Sequence, residues 1–525
     1  MGGGDVRFLY LVLYVKRGSV ALYSHFVWRC AFNGLSKMYP RTQFHLRPSE
    51  KPWTTTTTTT PQHARIRSPI RFQRRNRLKL LVGVLFAVFV LYEHVLPRAD
   101  FDFHIPGTSS GHAICPSAPV IDDILVVIRT GATEVPTKLP VHFDTTLHCI
   151  PNSVIYSDYA ETIAGHHVYD VLDEVSATLK ASAPEFELYE QMKLHGRDGM
   201  NVTEHFGSGP AGSENPAWKL DKFKFLPMVD KAFRHAPEAK WFVFIEADTY
   251  LMWANLVAYL SMLDPKDDLY LGNPMYIGDV LFAHGGSGFV ISQAAMRKVT
   301  EHRSTRVAEY DKYTAENWAG DMVLGKALKD VGVEMMQLFP HFQGDPVSSF
   351  NHFEMKQQRS PWCYAPMTYH HMRKGEIQRL WAFEKAWRRK GLGLLAHRDI
   401  FKEYLVPKFT TEIDDWDNIS IDAEPIVVTS LEACHAVCQA KTGCLQYSYM
   451  AGTCSTTTEV RYGNEAHRAC TDYSGASGKC ESWREQSQPG DTVQSGWMME
   501  RLLEHIKEKD SSCHETEDEM WVIKG

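Results

Sequence analysis

The sequence predicts an α/β fold, a mostly parallel sheet with helices on both faces, followed by a small disulfide-rich domain. Three features carry this expectation. The β-branched run Ile121–Ile128 ends in Arg129-Thr130-Gly131, and the apolar run Trp241–Ile245 ends in Glu246-Ala247-Asp248; both read as buried strands that stop at a turn. Such runs alternate with stretches of helical spacing, which argues for a sheet sandwiched between helices. Six cysteines crowd between Cys434 and Cys480, the density of a small domain stapled by disulfides because its core is small.

The 525 residues suffice for two domains and a sizeable core. A net charge of −7 gives no sign of nucleic-acid binding. The strongly basic stretch is local, Arg65, Arg67, Arg71, Arg74, Arg75, Arg77 and Lys79, and it directly precedes the apolar run Leu80–Tyr92. Residues 78–96 approach the length that spans a bilayer. Positive charge before the span places the N-terminus in the cytoplasm, a single-pass type II signal anchor with the body in the lumen of the Golgi or ER. The competing readings are a buried helix and a cleaved signal peptide, but no small-x-small site follows the run. Residues 1–77, with the Thr54–Thr60 homopolymer, read as a disordered cytoplasmic tail. Residues 97–120 read as a stem. Ten of the eleven cysteines and the sequons at Asn201 and Asn418 lie after the anchor, as a lumenal body requires.

The first body strand ends at Thr130 and Gly131, and a second follows at Ser153–Asp158. In a mostly parallel sheet ligands lie at the carboxyl ends of strands. Trp218–Arg234 has helical spacing despite Pro227. Beyond it, Glu246 and Asp248 would face one site if extended geometry persists, because residues i and i+2 point the same way. Two carboxylates there suit a hard divalent cation that also holds phosphate oxygens; an acidic turn is the bland alternative. His284-Gly285-Gly286-Ser287-Gly288 puts small residues before a strand, where a backbone can approach a ligand closely. No lysine-serine or lysine-threonine pair follows, so this is no phosphate loop of the nucleotidase type. Asp321 precedes an apolar helical stretch and would serve as its N-cap. Trp318 and Trp362 would stack on a sugar ring or pack in the core. A zinc site is the alternative reading of the C-terminal cysteines, and the four from Cys434 to Cys454 allow three pairings. Ser495–Glu508 reads as an amphipathic helix packed on the body.

Four segments together resemble the inverting family 31 glycosyltransferases, the fringe and core 1 β-1,3-galactosyltransferase group, of fungal type. WFVFIEADTY (Trp241–Tyr250) is similar to that family's WF-x-K-A-DDDTY, HGGSGFVIS (His284–Ser292) to GGAGYVLS, AGDMVLGKALKDVGV (Ala319–Val333) to EDV-x-x-G-x-C-L-x-x-x-GV, and TYHHM (Thr368–Met372) to SFHYV. The resemblance runs from Asp122 to Leu380 and implies a GT-A nucleotide-diphospho-sugar transferase fold over residues 121–410. It implies Mn²⁺ held by Asp248 and His370, with His371 as a neighbour able to substitute. A donor site at Thr130, Gly131, Asp158, Lys222, Glu246 and Gly286 is expected, with Asp321 as the catalytic base. A solvated helix face explains Lys219, Asp221 and Lys222 as well as donor contact does. Glu246, Ala247 and Gly320 depart from the family, which has acids there. The Cys434-x3-Cys438-x5-Cys444-x9-Cys454 pattern resembles a PAN or apple-type module over residues 425–485, with residues 486–525 a C-terminal helix and tail.

The implied activity is transfer of a hexose, galactose first, from a UDP-sugar to a glycoprotein glycan in β-1,3 linkage. A fringe-like transferase using UDP-GlcNAc or UDP-glucose, and an inactive lectin-like membrane protein, are the alternatives. The expected partners are the donor, a glycan acceptor and the membrane, with a homodimer left open.

Overall fold

A computed structural model of the chain describes residues 10–16, 19–25, 114–200, 215–421, 424–466, 492–513 and 517–523. The chain divides into two units, Met1–His104 and Ile105–Gly525. In the first, β1 (Tyr10–Lys16) and β2 (Ser19–His25) pair as an antiparallel hairpin. The apolar run Phe8–Val15, read above as part of a disordered tail, supplies most of β1, as its β-branched and aromatic content favours. The rest of that tail, the anchor at 78–96, Asn201, Cys470 and Cys480 lie outside the described residues. Among the described residues, no helix is long and apolar enough to cross a membrane.

The second unit is built on an eight-stranded sheet. Its strands are β3 (Ile124–Arg129), β4 (Ser153–Ser157), β5 (Glu161–Ile163), β6 (His166–Asp170), β7 (Trp241–Glu246), β9 (Tyr270–Gly272), β12 (Phe289–Ser292) and β13 (Met335–Gln337). They lie in the order β13-β9-β12-β7-β3-β4-β6-β5. The pairs β3/β4, β3/β7, β4/β6 and β13/β9 are parallel, and only β12 and the edge strand β5 run against the rest. Alternation sorts the central strands between two cores. Leu125, Val127, Phe242 and Phe244 face one, Ile124, Val126, Ile128, Val243 and Ile245 the other. Helices cover both: α1 (Val135–Lys138) and α4 (Trp253–Leu260) on the second face, α3 (Phe225–His235), α5 (Gln293–Ser304) and α6 (Gly320–Asp330) on the first. The mostly parallel, two-faced α/β sheet expected from the sequence is therefore the observed architecture.

The helical stretch around Pro227 is two helices. The first, α2 (Pro216–Asp221), gives way to a 3₁₀ turn at Lys222–Lys224, and α3 restarts at Phe225. Proline lacks an N–H and is tolerated in a helix's first turn but not mid-helix, so the restart places Pro227 where it is accommodated.

A small sheet, β14 (Phe342–Gln343), β15 (Thr368–Tyr369) and β8 (Tyr250–Leu251), joins distant stretches of sequence. Tyr369 pairs antiparallel with Tyr250. Downstream, β16 (Glu412–Asp414), β18 (Ile426–Val427), β19 (Gln446–Met450), β20 (Thr453–Thr457) and β22 (Val493–Trp497) form a five-stranded antiparallel sheet, ordered β16-β22-β19-β20-β18. Helix α8 (Leu431–Ala440) is tied by Cys434–Cys454 to β20 and by Cys438–Cys444 to the loop before β19. These two bridges settle which of the three pairings forms.

The helix expected over Ser495–Glu508 starts later, as α9 (Met499–Asp510). Ser495–Trp497 belong instead to β22, paired with both β16 and β19. Trp497, Leu502 and Ile506 are buried in one core with Tyr250, Trp362 and Trp381, so the small sheet and α9 pack on the body. Cys363–Cys513 ties the residues just after α9 to the 3₁₀ turn Pro361–Cys363. Asn418 is fully buried and its amide donates to the carbonyls of Tyr447 and Gly496. In the folded chain that sequon is structural, not a glycan acceptor.

Candidate active site

Three strand ends, one turn and one helix start converge. β7 stops at Glu246, and the chain turns at once, with the Thr249 amide donating to the Glu246 carbonyl at 3.0 Å. The extended geometry expected through Asp248 therefore does not persist. The two carboxylates converge all the same, because the turn folds Asp248 back. Pairing of β15 with β8 then sets His370 beside them, and the Met372 amide donates to the Asp248 carbonyl at 2.8 Å. His370 Nε2 lies 3.2 Å from Asp248 Oδ1 and 3.6 Å from Glu246 Oε2. Adjacent residues within a strand would face opposite ways, but His371 lies beyond the end of β15. Its φ of +54° turns it out of the strand, its ring lies 3.8 Å from that of His370, and its Nδ1 is 3.9 Å from Asp248 Oδ2.

Asp248, His370 and His371 form a group able to hold a metal ion. The chemistry of the set fits a divalent cation. His370 is buried, and although its Nε2 stands within ion-pair range of Asp248, neither ring nitrogen makes a well-directed hydrogen bond, which is rare for a buried polar atom without a role. Positive charge is drawn to this spot. Burial would lower the His370 pKa, but Asp248 and Glu246 outweigh it and take it up to about 10. Burial likewise opposes ionisation of Asp248, yet Lys138 and then His370 hold it well below the usual carboxylate range. His371, kept neutral by burial and by His370 with a value down at about 4, retains a free lone pair.

Arg129, at the end of β3, organises the other half. Its guanidinium bonds to both Asp221 and Glu246 and lies 4.2 Å above the Phe225 ring. Burial would raise Glu246, but Arg129 dominates and holds it down at about 2. Glu246, expected in the donor site, is thus an ionised carboxylate shared between Arg129 and the His370 side. Asp321 lies within the field of the same guanidinium.

Asp321 sits inside the first turn of α6; the N-cap position is Ala319. Its Oδ2 accepts from the Gly285 amide and its Oδ1 from the Met322 amide, both at 2.9 Å. Burial is the largest influence and pushes the carboxyl up to about 6, against these two amides.

The remaining expected contacts divide. The Thr130 carbonyl accepts from Lys224 Nζ at 3.0 Å. Asp158 takes the Ala132 amide at 2.6 Å and Lys224 at 3.3 Å, so it holds the Thr130-Gly131 loop in place from beneath. The Lys222 ammonium turns away, to Glu185 at 2.8 Å and the Ala315 carbonyl at 3.2 Å. The lysine that reaches the strand ends is Lys224. Gly286 is pressed against His370: a Cβ there would come within 2.2 Å of the ring. Its carbonyl accepts from Thr249 at 2.8 Å, locking the glycine turn to the acidic one.

Gly320, where the resemblance led to an acid, has no room for one. A Cβ would meet Phe225 at 2.4 Å and the Lys222 carbonyl at 2.5 Å. Gly320→Asp is expected to lower stability by about 1–3 kcal/mol through overpacking, read as a lower urea midpoint at unchanged slope.

Sequence reasoning missed Arg129, Lys138 and His142. Lys138 bonds to Asp248 and Glu134, while His142 holds the Ala247 carbonyl at 2.7 Å. The only sequence signal was their place, the end of the first strand and the helix just after it. The tryptophans separate too. Trp362 is buried with its Nε1 on Asp510, whereas Trp318 is 51% exposed and stacks on Trp218 at 6.0 Å.

A two-faced, mostly parallel sheet thus carries a metal-competent Asp/His group beside the end of its strand β7. The Fringe-like family model matches residues 121–383, half of the chain, and the chain belongs to the Fringe-like family of glycosyltransferases. It is also similar to a human chondroitin sulfate glucuronyltransferase, 27% identical over 173 residues. That match covers 31% of this chain and 19% of the relative's length.

Proposed function

We propose that the chain is an inverting, metal-dependent hexosyltransferase that moves a sugar from a UDP-hexose to a glycan hydroxyl. The observation that carries this reading is a buried Asp248–His370 centre that reaches Glu246, whose partner Arg129 also lies within the field of the buried carboxyl Asp321. Asp321 takes the acceptor proton as the acceptor oxygen bonds to the anomeric carbon and the bond to UDP breaks. A base with a value near the working pH is suited to that. Asp248 and His370 would hold the cation, and imidazole with carboxylate and phosphate oxygens suits Mn²⁺. When bound, that ion supplies neutralisation of charge building on the leaving diphosphate. Arg129 keeps Glu246 ionised and oriented. Trp318, three residues before Asp321, offers a ring face on the acceptor side.

Galactose in β-1,3 linkage to a glycoprotein glycan is the specific reaction the family resemblance suggests; the four motifs themselves carry mechanism rather than donor identity. The human relative's name adds glucuronate as a donor to test. The four disulfides among the described residues, all C-terminal to 78–96, support a lumenal body on a type II anchor in the Golgi or ER. The helix stapled to the five-stranded sheet supports a PAN-like module that positions acceptors.

The test is UDP release by the purified chain with UDP-galactose, UDP-GlcNAc, UDP-glucose and UDP-glucuronate, each with Mn²⁺ or EDTA. Metal-dependent release from one donor is expected. UDP binding without release from any donor, even with acceptor glycans present, would favour the lectin-like alternative. Absence of UDP binding would sink the reading.

A further inference from the structure

Lys138 stands at the end of α1 with its ammonium 3.0 Å from Asp248 Oδ2 and 2.6 Å from Glu134 Oε1. It is mostly buried, as is Asp248. The family motifs did not single it out, and the chemistry described above does not use it. It pairs with one carboxylate oxygen, Asp248 Oδ2, which His371 also approaches at 3.9 Å, while the other, Oδ1, faces His370. A buried carboxylate without a counter-ion is strongly unfavourable, and Lys138 supplies one. A divalent cation arriving alone on Asp248 would face that ammonium at close range, and like charges repel. A cation arriving with a diphosphate brings its own negative charge, and a lysine is a mobile point charge on a flexible stem that binds phosphate well. Glu134, one helical turn away, keeps the ammonium tethered as it moves.

We propose that Lys138 is a hand-off residue: it neutralises Asp248 in the free protein and transfers its ammonium to the donor diphosphate when metal and nucleotide bind together. The inference rests on the donor-site reading above. Its consequence is strong positive coupling: metal alone binds weakly, UDP alone binds weakly, and each raises the affinity of the other by the same factor. Lys138 is in this sense a positioning residue for metal and diphosphate.

The experiment titrates the full chain with Mn²⁺, followed by the electron paramagnetic resonance of the free ion, with and without UDP. The proteins are wild type, Lys138→Met and Lys138→Arg. Lys138→Met, similar in length but uncharged, is expected to bind Mn²⁺ alone roughly tenfold more tightly and to lose most of the coupling to UDP. Lys138→Arg, which keeps the charge, is expected to restore much of the coupling. A merely structural lysine would not move the two affinities in opposite directions. Unchanged or weaker binding of Mn²⁺ alone by a folded Lys138→Met, checked by its thermal transition, would overturn the hand-off. A folded Lys138→Arg without coupling would overturn it too, as would a Lys138→Met variant that does not fold, because the lysine would then be structural. If the wild type binds neither Mn²⁺ nor UDP in any combination, the donor-site reading itself fails and the inference falls with it.

Discussion

Asp321→Asn is expected to lower turnover on the order of 10²–10⁴-fold while leaving UDP affinity in Mn²⁺ near that of the wild type. The carboxylate is set apart from the metal-competent group, and its contacts are the amides of Gly285 and Met322. Asparagine is nearly isosteric but has a single acceptor oxygen, so it keeps one of the two amide contacts and turns its NH2 toward the other; an unchanged UDP affinity and thermal transition check that the α6 start and the glycine turn stay in place. What it cannot do is take a proton. The wild-type pH profile gives an independent check. Burial raises the Asp321 carboxyl to about 6, and the base form is the ionised one. Turnover should therefore rise with pH and level off above a bend near 6. Below that bend it should fall about tenfold per pH unit. In the variant the residual rate should lack that bend. A variant with the wild-type rate would remove Asp321 as the base, and a wild-type profile flat from pH 5 to 8 would remove its titration from the mechanism.

The core strands were legible because their signal is local. β3 and β7 are short apolar runs ending in polar turns, and burial on both faces demands that composition. The segments around Asp248, Gly286, Asp321 and His370 were legible because each has a distinctive short motif. Their meeting was not readable from any one of them. It depends on β15 pairing with β8 across more than 100 residues of chain, and pairing partners leave little local trace. His371 is the clearest case. Adjacent residues in a strand face opposite ways, but the strand ends at Tyr369 and a positive φ brings the second ring round. Gly320 makes the same point from packing. It read as a lost acid, and its small size is instead dictated by Phe225 and Lys222, which belong to another part of the chain.

Charge partners were the least legible feature. Lys222 and Lys224 are two residues apart on one turn, and composition does not rank them. The break at Lys222–Lys224 decides, sending Lys222 to Glu185 and Lys224 to Thr130 and Asp158. Arg129 is a polar residue at the tip of a buried strand, which signals only that something awaits it there. The C-terminal sheet was half legible. Cysteine spacing located its disulfide core, but β22 arrives from beyond that spacing, and a strand of Val-Gln-Ser-Gly-Trp carries little apolar periodicity.

Asp248→Asn is expected to abolish the Mn²⁺ dependence of UDP binding and to lower turnover on the order of 10³-fold. An amide oxygen carries no full charge, so the cation loses the carboxylate nearest His370. His370→Ala should match it in metal affinity, because the buried Nε2 of His370 is the ring nitrogen held beside Asp248. His371→Ala separates the readings of the pair. Its side chain is 38% exposed and its Nδ1 stands 3.9 Å from Asp248, farther than that of His370. A modest loss, within about tenfold in metal affinity, is therefore expected, since an exposed ligand gives up less on removal than a buried one. Equal losses in His370→Ala and His371→Ala would mean that both rings hold the ion. A loss confined to His371→Ala would move the centre to the more exposed side. Wild-type metal affinity in Asp248→Asn would detach the cation from this carboxylate altogether, leaving Glu246 as the only other acid within reach of His370 among the described residues.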